Sequence, residues 1–144
     1  MSYKFLEDIA IADVAFEADG KTIENMFEQA GLALENTMVK ELETVKTTDK
    51  RKITAEGKDT ETLLHNFLEE LVYIKDAELL LFSKFSGTKI AEKNGKWFME
   101  TTGLGEPLNQ KKHELLVDVK AVSWHKFSVS KVRGGFKSTV ILDI

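Results

Sequence analysis

Residues 60–102, TETLLHNFLEELVYIKDAELLLFSKFSGTKIAEKNGKWFMETT, change their hydrophobic period part-way, and that change decides the fold class. In the first half Leu63, Leu64, Phe67, Leu68, Leu71 and Ile74 recur at intervals of three and four. This is the stripe of an amphipathic helix, which Asp59 or Thr60 can cap. From Leu79 onward the spacing predicts strands over 79–85, 88–93 and 96–102. Asn94-Gly95 joins the last two, because both residue types tolerate the positive φ of a tight hairpin turn.

Upstream, residues 11–18 alternate, with Ala12, Val14, Phe16 and Ala18 on one face and Asp13, Ala15 and Glu17 on the other, which predicts a half-buried strand. Asp19-Gly20 ends it. Ile23, Met26, Phe27, Ala30, Ala33, Leu34 and Met38 then mark a helix to about Glu41, capped by Thr22 or Asp19. A short strand follows over 51–57. Downstream, strands are predicted over 115–122, 127–132 and 137–144, with a turn at Gly134-Gly135. The last six residues, Thr139 to Ile144, are apolar on both faces, as in an inner strand. Two early helices and a run of late strands predict an α+β fold, the helices packed on a mixed, mostly antiparallel β-sheet. With one proline, no repeat and no compositional seam, residues 1–144 read as a single domain.

Composition narrows the function. The absence of cysteine removes disulfides, thiolate metal ligands and thiol nucleophiles. The opening residues meet Glu7 and Asp8 before any apolar run, so no signal peptide is expected, no segment reads as a membrane span, and a cytoplasmic location follows. A formal net charge of −4 speaks against the basic footprint of a nucleic-acid binder, so RNA is expected to be reached through a partner.

No self-sufficient catalytic set is visible. His65, His113 and His125 lack metal-type spacing, no nucleophile elbow occurs, and Gly103-Leu104-Gly105 is an isolated pair of glycines that reads as a loop bend. His65 reads as a structural residue on the flank of the second helix. Three charged positions stand out. Asp13 occupies a strand, where Asp is disfavoured. Asp143 is followed by Ile144, whose α-carboxylate would place two anions together. Were Asp13 beside Asp143, such a cluster would suit Ca2+ or Mg2+; otherwise both are simply solvated. Lys120 shares a strand face with Asp118, either as a surface ion pair or as a cation beside the carboxylates. A small metal-dependent phosphohydrolase and a general chaperone are the rival readings.

The motifs also resemble a known family. Ala12-Asp13-Val14 before a helix is similar to the archease opening Asp-His-Thr-Ala-Asp-Val. His113-Glu114-Leu115 running into Val119-Lys120-Ala121-Val122-Ser123-Trp124-His125 is similar to that family's His-Glu-Leu and Glu-Val-Lys-Ala-Val-Thr-Tyr-His stretch. Val140-Ile141-Leu142-Asp143-Ile144 resembles its C-terminal Val-Val-Leu-Asp-Ile. Ile9-Ala10-Ile11 stands in place of Asp-His-Thr, with Asp8 a displaced version of the first aspartate. The resemblance implies a non-enzymatic cofactor of the RNA-splicing ligase that joins 2′,3′-cyclic-phosphate or 3′-phosphate ends to 5′-hydroxyl ends in tRNA splicing, helping its guanylylation and turnover. RNA and GTP would be met only through that ligase. It also implies a divalent metal, Ca2+ with Mg2+ or Mn2+ as alternatives, on Asp13, Asp143 and the Ile144 carboxylate, and a partner-assisting Lys120.

Overall fold

Among the described residues seven strands form two sheets, and two helices pack against them. The computed structural model describes residues 2–6 and 13–144. In chain order the elements are β1 (Ser2–Leu6), β2 (Asp13–Gly20), α1 (Ile23–Met38), β3 (Asp49–Gly57), α2 (Thr60–Glu78), β4 (Leu80–Lys93), β5 (Lys96–Pro107), β6 (Ala121–Val132) and β7 (Gly135–Asp143), with one 3-10 turn at Leu42–Thr44. One sheet has the order β1-β2-β7-β6 and the other β3-β5-β4, and every described strand pair is antiparallel. The α+β class with two helices therefore holds. β7 lies inside its sheet, between β2 and β6, as its two apolar faces require.

Both helices start where polar side chains can take up free N–H groups. Thr22 accepts from Asn25 N–H and Asp59 from Thr62 N–H, at 3.1 and 2.7 Å. Their apolar stripes meet the sheets in a core that includes Phe16, Phe27, Phe67 and Phe82, all essentially inaccessible. Each such side chain stabilises the fold by roughly 1.5–3 kcal/mol relative to exposure.

The outer edge of β6 is covered by α2. His65 Nε2 lies 2.8 Å from the Val122 carbonyl, Glu69 accepts the Val122 N–H at 3.1 Å, and Glu61 accepts the Val129 N–H at 3.4 Å. Side chains thus satisfy an edge that would otherwise invite another strand. His65 is accordingly buried under β6 rather than carried on the helix flank.

Four local expectations change. The strands expected over 79–85 and 88–93 are one strand, β4, whose irregular pairing at Phe82/Lys84 and Ser86/Lys89 absorbs Gly87 at φ +64°. Gly103-Leu104-Gly105 is no bend but part of β5, and a Cβ at Gly105 would sit 1.7 Å from the Leu81 carbonyl oxygen. The strand expected over 115–122 begins only at Ala121, because Leu115 bridges to Val39 and the segment after it is drawn toward α2. β1 was not expected. Asp8, Ile9, Ala10, Ile11 and Ala12 lie outside the described residues.

Candidate carboxylate and lysine site

Three backbone pairings build the site. β2 and β7 run antiparallel with Asp13 directly opposite Asp143. Directly opposed residues project from the same face, so two carboxylates are held at one corner of the sheet. β6 adds Ala121 opposite Asp143, and the Lys120 N–H donates to the Asp143 carbonyl at 2.8 Å. Lys120 is exposed, Asp143 is exposed, and Asp13 and Ile144 are partly so. The backbone therefore sets Asp13 opposite Asp143 and ties the Lys120 main chain to Asp143, with Ile144 next in the chain.

The segment before Lys120 is anchored from α2. Lys75, 5% exposed, donates to Asp118 at 2.6 Å, to the Val119 carbonyl at 2.8 Å and to its neighbour Asp76. Burial alone would lower the Lys75 pKa, but the hydrogen bonds from Asp118 and Asp76 outweigh it and the net direction is upward. Asp118 thus pairs with Lys75 and not with Lys120, which corrects the expected surface pair. Among the described residues Lys120 has no ion-pair partner within 4 Å.

Two further carboxylates are saturated by the protein or hidden from water. Glu106 accepts from Lys46 N–H at 2.7 Å, from Lys112 Nζ and from His113 Nε2 at 3.0 Å. Burial would raise its pKa, yet these three donors override it and hold it down at about 2. His113 Nδ1 accepts the Asn109 N–H, so Nε2 carries the ring proton. The buried His113 therefore pins the loop that leads to Lys120 and has no free nitrogen for metal or catalysis. Glu35 is fully buried, accepts the Phe82 N–H at 3.0 Å with Oε1, and leaves Oε2 without a partner. Burial pushes its pKa up to about 8 against the opposing pull of the Phe82 N–H and Lys75. Sequence reading missed Glu35 because it falls on a helical stripe position among small and apolar residues, where a Glu looks like a polar interruption.

Among the described residues no three His, Cys, Asp or Glu side chains gather in one place to ligate a metal. The donor set at the corner is two opposed carboxylates of β2 and β7, with Ile144 next in the chain. Opposed like charges are unfavourable in a strand pair and hard oxygen donors suit a hard divalent cation, so the residues present fit such an ion.

The model of the Archease protein family matches residues 3–144. This chain belongs to that family. It is 32% identical over 142 residues to the protein archease of Methanosarcina mazei, covering 99% of this chain and 95% of that one. Its fold matches the solution structure of Methanobacterium thermoautotrophicum protein 1598 with a TM-score of 0.86 at 34% identity, over 99% of both chains. An archease from Thermotoga maritima, described as a possible chaperone, shares the fold with a TM-score of 0.58 at 13% identity over 98% of both chains. The family membership agrees with the motifs around Asp13, Lys120 and Asp143. Among the described residues no helix is long and apolar enough to cross a membrane.

Proposed function

We propose that this archease-family chain is an accessory protein of the RNA ligase that seals 2′,3′-cyclic-phosphate or 3′-phosphate ends to 5′-hydroxyl ends, promoting its guanylylation and repeated turnover. The observation that carries the reading is the register of β2 and β7, which sets Asp13 against Asp143 with Lys120 bonded to the same residue. A divalent cation on Asp13, Asp143 and the Ile144 carboxylate would supply charge neutralisation for phosphate oxygens, which is most of what phosphoryl transfer asks of its surroundings.

The chain's own residues then have separable tasks. Asp13 and Asp143 would be the side chains that hold a divalent cation. Lys120, tied through its backbone to Asp143, next to a Val119 held by Lys75, and exposed, would offer its ammonium to the partner. In this reading the covalent step belongs to the ligase. Ligase guanylylation and multiple-turnover joining, measured with wild type and with folded Asp13→Ala, Lys120→Ala and Asp143→Ala, test the reading. Full stimulation by the variants refutes it.

A chaperone-like reading is favoured by a different observation. Phe5, Leu116 and Val117 are 43%, 51% and 40% exposed and line one groove that also reaches Asp13. Such a surface can hold apolar segments of a client. Suppression of aggregation of unrelated proteins that survives Asp13→Ala would support it over the ligase role.

A further inference from the structure

We infer that the outer strand β6 is a binding strip for single-stranded nucleic acid, with Trp124 as the platform on which a base stacks. The first observation is a built aromatic stack. Between the pairs Ser123↔Ile141 and Ser128↔Thr139, β6 carries four residues where β7 carries one, so Trp124, His125, Lys126 and Phe127 loop out of the ladder. Lys126 takes φ +55° to make this possible, an uncommon conformation for a side chain of its kind. The loop lays the Trp124 indole flat on His65, ring centroids 3.8 Å apart and planes 7° from parallel. Phe127 stands edge-on to both rings, at 5.3 and 5.4 Å. His65 is itself locked to the Val122 carbonyl, so the platform is rigid from below. Trp124 is nonetheless 55% exposed, leaving its other side to solvent.

The second observation is charge. Residues 119–142 contain Lys120, Lys126, Lys131, Arg133 and Lys137 and no Asp or Glu, in a chain whose net charge is −4. Of these, Lys137 pairs with Glu17, while Lys120, Lys126, Lys131 and Arg133 have no ion-pair partner among the described residues. Lys126, Lys131 and Arg133 are all exposed along β6 and its turn. Two carboxylates border the platform, Asp59, which caps α2, and Glu61, which accepts the Val129 N–H, so the cations that would follow phosphates are Lys126 and those further along β6.

An exposed aromatic face with exposed cations along the same strand is the combination that tracks a single strand, since every base has a π-face and every linkage a phosphate. A protein partner has less to match here, because the row of unpaired cations would need a row of carboxylates in register. Duplex is disfavoured, because its bases are already stacked on one another. This inference stands independently of the ligase role, and Asp13→Ala and Asp143→Ala should leave oligonucleotide binding intact.

Binding of labelled oligouridylate and oligothymidylate of about ten nucleotides, within the usual site sizes, is to be measured by anisotropy beside a matched duplex. Trp97→Phe leaves Trp124 as the sole indole, whose fluorescence should be quenched by either single strand. Trp124→Ala should weaken binding about five- to a hundredfold, with Trp124→Phe restoring most of it. Lys126→Ala with Arg133→Ala, surface changes that spare the fold, should reduce the slope of log affinity against log salt by about 1.4. Undetectable binding at low salt, binding indifferent to Trp124→Ala, or equal binding of duplex overturns the inference. So does a Trp124→Ala loss confined to ligase stimulation with no oligonucleotide bound.

Discussion

Glu106 and the Asp13/Asp143 pair are both carboxylate sites near the loop that carries Lys120, and they are wired in opposite ways. Glu106 receives one backbone and two side-chain donors from its own chain, and its charge is spent on holding 107–120 in place. Asp13 and Asp143 face each other across a strand pair with no cation supplied by the described residues within ion-pair distance. A carboxylate that the fold has already satisfied serves the fold. A pair left facing each other retains affinity for something brought from outside.

The comparison is tested hardest by activity. Asp13→Ala and Asp143→Ala are expected to reduce ligase stimulation by at least a hundredfold while leaving the melting temperature within about 2 °C, since surface changes are usually within about 0.5 kcal/mol. His113→Ala should do the reverse. It removes a buried ring, leaves the Asn109 N–H unpaired, and should cost about 2–3 kcal/mol, read as a loss of about 5–10 °C.

Glu35 gives the next effect, and its sign differs from that of Glu106. Its folded pKa of about 8 lies above the unfolded value of 4.5, so the folded state binds the extra proton and stability falls as pH rises from about 4.5 to 8. Glu35→Gln should abolish that decline, which amounts to at most about 1.4 kcal/mol for each pH unit of the window. Glu106, held at about 2, contributes stability that is complete above 4.5 and lost as pH falls toward 2. Denaturant melts across pH 2–9 should therefore peak near pH 4.5 in wild type and plateau above it in Glu35→Gln. The last effect is that of the cation itself. Calcium at a hundred times its dissociation constant should stabilise wild type by about 2.7 kcal/mol, but neither Asp13→Ala nor Asp143→Ala. Equal stabilisation of all three would place the ion elsewhere.

Periodic elements were legible because their signal is local. α1 and α2 announce themselves by apolar spacing and by Thr22 and Asp59 at their starts, and β7 by an apolar run too continuous for an edge. Where a bulge shifts the period the reading failed: β4 was split in two at Gly87, and Gly103 to Gly105 read as a bend because the demand for bare glycine comes from the neighbouring strand, at Leu81. The whole-chain charge says nothing of the acid-free stretch over 119–142, because a net value sums over all faces.

By itself the sequence determined the element types, the candidates for each helix cap, the inner position of the last strand and the residue types capable of site chemistry, all of which depend on neighbours within a few positions. Only the tertiary structure decided that Asp13 lies opposite Asp143, that Asp118 belongs to Lys75, and that Glu35 is sealed in the core. The reason is physical: strand register and burial are settled by pairing between segments up to about 130 residues apart, and no local pattern specifies which of the compatible registers gives the best-packed core.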